Sequence, residues 1–185
     1  MDNNNWSRTV LEIYNYLPRV TYAYDKIIKT RAYNSANMSS NNLGFNNVEN
    51  VTNSIINLSQ RKVTLINLKL IIEKALKSMD KELAKIIIFK FIDKKKSVEI
   101  AEKLDVCLRT MFRKVNLALD SFSKALQRMG YSQEKLKGML NKEKWICKVY
   151  ETISKKDECE IETFEFRQQI KSDIIFEFRR VAGMC

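Results

Sequence analysis

Turn-forming residues are scarce in this chain, which has four Gly and one Pro among 185 residues. Sandwiches and barrels of β-strands need many tight turns, and Gly and Pro are among the residues that most often form them. Hydrophobic residues make up 45% of the chain, which is enough apolar surface to fold around a core. The sequence therefore predicts an all-α fold, a helical bundle whose helices are joined by short links.

The apolar pattern predicts an N-terminal helical segment over residues 1–32, because hydrophobic side chains recur there at helical spacing. Pro18 is expected to bend this helix or to split it in two. Five aromatic side chains crowd the segment: Trp6, Tyr14, Tyr16, Tyr22 and Tyr24. Packing against other helices accounts for them better than stacking on nucleic-acid bases does.

The chain changes character over residues 33–53, which contain eight Asn and Gly44 and show no lasting periodicity. We predict a loop or linker there. Helical periodicity then defines a domain over residues 55–130. Residues 131–185 are expected to form a C-terminal helical extension that serves in oligomerisation or partner docking. The apolar residues of its tail fit either one helix or a hairpin of two strands, and the helical character of the rest favours the helix.

The positive charge of the chain is concentrated in its middle. The formal net charge is +11 overall, and it divides into +1 for Met1–Gln60, +12 for Arg61–Lys148 and −2 for Val149–Cys185. A local excess of Lys and Arg is what binding to a phosphate backbone requires, because neutralised phosphates release their counterions. A Lys-rich solvated surface without function is the alternative that charge alone leaves open.

The residue inventory excludes several classes of site and activity. The four cysteines form no C-x-x-C pair and the chain has no His, so we expect neither a metal site nor a cofactor. No Gly-rich phosphate loop or nucleophile with a base partner is present, so we expect no catalytic residues and no enzyme. Without a signal peptide or a long apolar run, the protein is expected to be cytoplasmic, with reduced thiols and no membrane partner.

Two features before residue 97 begin a candidate DNA-binding unit. Ser78 or Asp80 is placed to cap a helix over Lys81–Phe91. The polar run Ile92–Lys96 then predicts a short connection.

A second and a third helix follow at the spacing of a helix-turn-helix. Ser97 is expected to cap a helix over Val98–Leu104, and a turn at Asp105–Cys107 leads into a helix over Leu108–Met129. Gly130 is a plausible stop for that helix.

Within the turn, Asp105 stands where a left-handed backbone is often needed, which Gly provides best and Asp tolerates. Cys107 replaces the usual Ser or Thr cap of the third helix, so that cap is expected to be weak. Ala101 is expected where the second and third helices cross closely, since a longer side chain would clash there.

The third helix is predicted to carry its polar residues on one face and its apolar residues on the other. Arg can bond bidentately to guanine and Asn to adenine, so this face is suited to the major groove of DNA. The predicted base-reading residues are Arg109, Thr110, Arg113 and Asn116. The predicted phosphate contacts are Lys94, Lys95, Lys96, Ser97 and Lys114.

A family resemblance rests on these residues. The run Leu76–Lys81 leading to Ser97–Leu104, with its S-x-E-I-A-x-x-L pattern, resembles region four of bacterial sigma factors. Arg109–Arg113 and the apolar residues after it are similar to the ArpU-like transcriptional regulators of phages and low-GC Gram-positive bacteria. The resemblance covers about a third of the chain. It implies a helix-turn-helix that regulates transcription, with double-stranded DNA and RNA polymerase as partners.

The chain departs from that family pattern at three places. The family usually has Gly in the connection before the second helix, Gly at Asp105 and Ser at Cys107. No convincing counterpart of sigma region two, the part that opens promoter DNA, is present, so the chain is not expected to be a complete sigma factor.

Two functions follow from the sequence. The first is a sequence-specific DNA-binding transcription regulator, whose flanking helices form a homodimer or contact RNA polymerase. The alternative is a protein-interaction adaptor or anti-sigma-like module that keeps the fold without binding DNA, for which the acidic, Phe-rich tail would be the docking surface. The salt dependence of binding distinguishes the two functions, because only the affinity for DNA should fall steeply as the salt concentration rises.

Overall fold

The computed structural model describes residues 5–38, 45–155 and 164–182, and in these residues it contains helices and connections but no strand. The all-α prediction is therefore confirmed for this part of the chain. The helices are α1 (Asn5–Ile13), α2 (Leu17–Met38), α3 (Phe45–Ser78), α4 (Lys81–Ile87), α5 (Ser97–Lys103), α6 (Leu108–Arg128), α7 (Gln133–Leu140), α8 (Lys144–Lys155) and α9 (Phe164–Ala182).

Pro18 marks the break between the first two helices. A single 3₁₀ turn, Tyr14–Tyr16, separates α1 from α2, and Pro18 is the second residue of α2. Proline has no backbone N–H, and the first turn of a helix is where that group would lack a partner anyway. The predicted split at this residue is found.

The predicted loop at residues 33–53 is mostly helical. α2 continues to Met38 and α3 already begins at Phe45, while residues 39–44 lie outside the described part of the chain. Asn is only modestly unfavourable inside a helix. Once packed residues have nucleated a helix, each added residue costs little, so both helices extend into the Asn-rich stretch.

α6 lies at the centre of the bundle. It packs against α1, α3, α4 and α5, while α2 packs along α3 and α9 packs against α2 and α8. The buried apolar side chains from these helices form one continuous core. Burial of that surface is the main favourable contribution to folding.

The aromatic residues of the N-terminal segment mostly contact protein. Trp6 is 4% exposed and stacks on Tyr150 of α8 with ring centroids 4.4 Å apart. Tyr24 is fully buried, and the Tyr14 hydroxyl donates a hydrogen bond to Glu73. These contacts favour the packing interpretation over base stacking.

A buried ionic network joins four segments that are far apart in sequence. Arg61 of α3 donates to both carboxylate oxygens of Glu143, at 2.8 and 3.0 Å, and to Glu177 of α9 at 3.1 Å. The Tyr24 hydroxyl and the Trp145 indole N–H also donate to Glu143, at 2.8 and 3.1 Å. Every charge in the network is therefore paired, which offsets the cost of removing these groups from water.

The same network orders the C-terminal helix. Burial alone would raise the pKa of the Glu177 carboxyl, but hydrogen bonds from Arg180 and Arg61 outweigh it and hold the pKa below its usual range. Glu177 is therefore ionised near neutral pH and holds α9 against α3 through Arg61.

The C-terminal extension is helical where the structure describes it. Gly130 ends α6 with φ +79°, and the Tyr131 N–H bonds back to the Leu126 carbonyl at 2.9 Å. The prediction that the tail is helical is confirmed for Phe164–Ala182, which forms α9, and a hairpin of two strands is excluded there. No helix in the described residues is long and apolar enough to cross a bilayer.

Candidate functional site

The candidate site is built on α5, α6 and the four residues between them. The Val106 N–H donates to the Ala101 carbonyl at 3.0 Å, which folds the connection back on α5. The Asp105 N–H donates to the Glu102 carbonyl at 3.2 Å. These bonds satisfy backbone groups that the end of α5 would otherwise leave without partners.

Asp105 has the left-handed backbone that the sequence predicted, with φ +50°. Few residues other than Gly adopt this region, and Asp is one of them because its short polar side chain can bond locally. Asp105 therefore supplies the change of direction that places α6 across α5.

Asp105 offers a stability test of the connection. We expect Asp105→Gly to leave the free energy of unfolding unchanged or slightly higher, because Gly adopts positive φ without steric cost. Asp105→Val should cost about 1–2 kcal/mol, since a β-branched residue is strained at this φ. Urea unfolding measures both changes. The control is Glu102→Val on the exposed side of α5, which should cost no more than about 0.7 kcal/mol; equal losses at both positions would refute the strain argument.

A shared core fixes the angle between α5 and α6. Ile100 of α5 and Met111 of α6 are fully buried, together with Phe91 from the π-helical turn Ile88–Ile92 that follows α4. Ala101 of α5 is also buried, with 5% of its surface exposed. Because the core is close-packed, the outward face of α6 is held in one orientation.

Three of the four predicted base-reading residues share the outward face of α6. Arg109, Arg113 and Asn116 are all exposed, and no ion pair within the described residues holds either arginine. Thr110 is partly buried, and its hydroxyl lies 3.2 Å from the Cys107 sulfur. The face therefore presents two exposed guanidinium groups and one amide, with Thr110 directed toward the start of the helix.

Cys107 precedes α6 at the position where the sequence predicted a weak cap, and its side chain makes no cap hydrogen bond to the helix. A hydrogen bond from the Thr110 hydroxyl, helped by backbone N–H groups, holds the pKa of the Cys107 thiol below its usual range. The thiol is exposed at the first turn of α6.

Ser97 does not cap α5, so that part of the prediction is wrong. The N-cap residue of α5 is Lys96, and its side chain makes no cap hydrogen bond. Ser97 is only 5% exposed, and its hydroxyl accepts a hydrogen bond from Lys90 at 2.8 Å. The lysine, seven residues earlier, competes for the hydroxyl that sequence alone assigns to capping.

Lys94 is held against the N-terminal part of the chain. Its backbone is left-handed, with φ +56°, at the connection where the resembled family usually has Gly. Its ammonium group bonds the carboxylate of Glu12, which is 8% exposed. This ion pair offsets the backbone strain and neutralises a buried carboxylate, so Lys94 points away from solvent.

Several lysines surround one phenylalanine beside α5. The ammonium groups of Lys95, Lys103 and Lys85 lie 4.0, 5.6 and 5.7 Å from the centroid of the Phe89 ring. The close approach of the Lys95 ammonium group lowers the pKa of Lys103 below its usual range, because two like charges repel. We define Lys85, Lys95 and Lys103 as the lysine cluster. It produces a concentrated positive potential, and a bound anion would reduce the repulsion between its ammonium groups.

Lys90 connects the lysine cluster to α6. Its ammonium group lies 5.9 Å from the centroid of the Phe112 ring, and Phe112 stands between Arg109 and Arg113 in sequence. Of the other predicted phosphate contacts, Lys96 is exposed and Lys114 is partly buried, while Lys95 also pairs with Asp93 at 3.5 Å.

Lys103 was not identified from the sequence as a phosphate contact. Its position on the exposed side of the amphipathic helix α5 was a signal that could have identified it.

Comparison with known proteins gives no match. No family model, curated protein or solved structure matches this chain.

Proposed function

We propose that this protein is a cytoplasmic, sequence-specific transcription regulator that binds double-stranded DNA through a helix-turn-helix formed by α5 and α6. The observation that carries the proposal is the outward face of α6, where Arg109, Arg113 and Asn116 are exposed on a helix fixed by its core. Each of these side chains can bond bidentately to a base edge in the major groove.

The arrangement of the two helices supports the proposal. A seven-residue α5 meets a 21-residue α6 through a short connection with one left-handed residue, Asp105. A helix-turn-helix inserts its second helix into the major groove with the N-terminal residues near the bases. Arg109 and Arg113 lie in the first two turns of α6, where such contacts are made.

The lysines support binding to the phosphate backbone of DNA, but through a set of residues that differs from the one predicted from the sequence. Lys94 and Ser97 are engaged with Glu12 and Lys90, so their recruitment to DNA would break existing bonds. Lys103 of the lysine cluster is added in their place, because a phosphate would reduce the repulsion between Lys95 and Lys103. We assign phosphate contacts to Lys95, Lys96, Lys103 and Lys114.

RNA polymerase is the second proposed partner, on the strength of the resemblance to sigma region four. Ile175 and Phe176 of α9 are 53% and 55% exposed, which gives this helix an apolar surface for a protein partner. The same surface would serve the alternative function, an adaptor without DNA binding.

Salt titration tests DNA binding. Fluorescence anisotropy with a labelled mixed-sequence duplex should show binding at low salt. Four phosphate contacts should give a slope of about −3.6 when log affinity is plotted against log salt, since each contact contributes about −0.9. Absence of binding at low salt, or binding that does not respond to salt, would contradict the proposal.

Lys103 gives a sharper form of this test. We expect Lys103→Gln to make the slope shallower by about 0.9 on every duplex, because the lost contact is to phosphate and not to a base. Lys135→Gln is the matched control, since Lys135 also lies over an aromatic ring, 4.8 Å from the Tyr131 centroid. Equal slopes for the Lys103 variant and wild type would remove Lys103 from the phosphate contacts.

A further inference from the structure

A stripe of apolar side chains runs along the solvent side of α3. The stripe consists of Ile56, Val63, Ile66 and Leu70, which are between 40% and 53% exposed. Their spacing of seven, three and four residues is that of a coiled-coil seam, in which apolar residues repeat every 3.5 residues on average. Such a seam is complementary to another helix with the same spacing.

A groove lies beside the stripe, between α2 and α3. It has a volume of about 280 Å³, with the buried side chains of Leu17 and Leu65 in its lining. Pro18 of α2 also lines it, together with Ile66 and Leu70 of the stripe itself. The surface therefore has both projecting apolar side chains and a recess to receive them, as a self-complementary interface requires.

The charged side chains beside the groove and the middle of the stripe are paired, although the chain as a whole is strongly basic. Lys62 pairs with Asp25 of α2 at 2.6 Å, and Lys69 pairs with Glu73 at 3.8 Å. The formal charge of the whole chain is +11. Two copies of such a cation would repel each other through most surfaces, and the two ion pairs reduce that repulsion on this face.

Uncharged polar residues border the stripe. Asn57, Gln60 and Asn67 are exposed on α3 beside it. A neutral rim offers no attraction to an acidic partner, whereas it suits a partner that carries the same rim. The occupant that fits both the spacing and the charge is a second copy of this chain.

We infer that two copies of this protein pair through α3, with the stripe of each copy packed against the stripe and groove of the other. α6 packs against α3 from within the bundle, and Arg109 and Arg113 are not part of the stripe. Pairing through α3 therefore leaves the proposed DNA-binding face open. It uses Leu17 and Pro18 of the N-terminal segment through the groove, and it does not use the C-terminal extension that the sequence also suggested.

Sedimentation velocity of the full chain without DNA tests this interface. The chain mass is 21.8 kDa, so the wild-type mass should rise with concentration toward about 44 kDa, twice that value. Val63→Lys/Leu70→Lys should stay at 21.8 kDa over the same range, with an unchanged helical circular dichroism spectrum. The matched control, Ile175→Lys/Phe176→Lys, adds the same charge at an equally exposed apolar pair on α9 and should dimerise like wild type.

Three results would overturn the inference. They are a wild-type mass of 21.8 kDa at every concentration, a stripe variant that dimerises as wild type does, and equal loss of the dimer in the control. The last would assign the dimer to added charge or to α9, and in either case not to the stripe. Because the measurement contains no DNA, its failure would leave the proposed DNA binding untouched.

Discussion

Replacement of both Arg109 and Arg113 with alanine should lower the affinity for a preferred duplex by about 100-fold or more. Each bidentate arginine–guanine contact contributes about 1–3 kcal/mol of discrimination, and 1.4 kcal/mol is a factor of ten. Both side chains are exposed, so the free energy of unfolding should change by less than about 0.5 kcal/mol for each substitution. Fluorescence anisotropy and urea unfolding measure the two quantities separately.

The control for this prediction removes the same charge elsewhere. Arg19 of α2 and Arg179 of α9 are exposed, and Arg19→Ala/Arg179→Ala should lower affinity only slightly and equally for all duplexes. If the two double variants lose the same affinity, α6 contributes general charge and not base readout.

Glu143→Ala should be the most destabilising single substitution proposed here, at about 3–5 kcal/mol. It leaves the guanidinium of Arg61 without its bidentate partner and removes the acceptor of the Tyr24 hydroxyl and the Trp145 N–H. For a chain of this length the melting temperature should fall by on the order of 10 °C. Thermal and urea unfolding followed by circular dichroism measure the loss.

The control for Glu143 is an ion pair near the surface. Asp25→Ala removes the partner of Lys62, whose side chain is 28% exposed, and should cost no more than about 1 kcal/mol. Arg61→Leu/Glu143→Leu should be less destabilised than Glu143→Ala, because no unpaired charge then remains between these two positions. Equal losses for Asp25→Ala and Glu143→Ala would mean that burial does not amplify the interaction.

Features set by one residue's own geometry were predictable from the sequence. Pro18 splits the first two helices, Asp105 has a left-handed backbone, and Gly130 ends α6. In each case the residue restricts or widens the allowed backbone angles before any tertiary contact forms. The all-α class was predictable for a related reason, since turn-forming residues are too few for a sheet protein.

Features that depend on distant partners were not predictable. Ser97 was expected to cap α5, but its hydroxyl accepts a hydrogen bond from Lys90. Lys94 looked like a phosphate contact, but it pairs with Glu12, 82 residues away. Nothing in the sequence indicates that Arg61, Glu143 and Glu177 meet in the core.

The candidate site likewise contains some features that are set locally and others that depend on distant partners. The exposed face of α6 with Arg109, Arg113 and Asn116 follows from helical periodicity, which is local. The lysine cluster follows from packing of the π-helical turn Ile88–Ile92 beside α5, which brings Lys95 and Lys103 to the ring of Phe89. Helical periodicity alone does not bring these lysines together, because their proximity depends on tertiary packing.

Selection of sequences from a pool of random duplexes tests the central claim most directly. We expect full-length wild type to enrich one motif that contains guanines, and Arg109→Ala/Arg113→Ala to lose that enrichment while it still binds duplexes weakly at low salt. No enriched motif with wild type, or the same motif with the double variant, would contradict the claim that α6 reads DNA sequence.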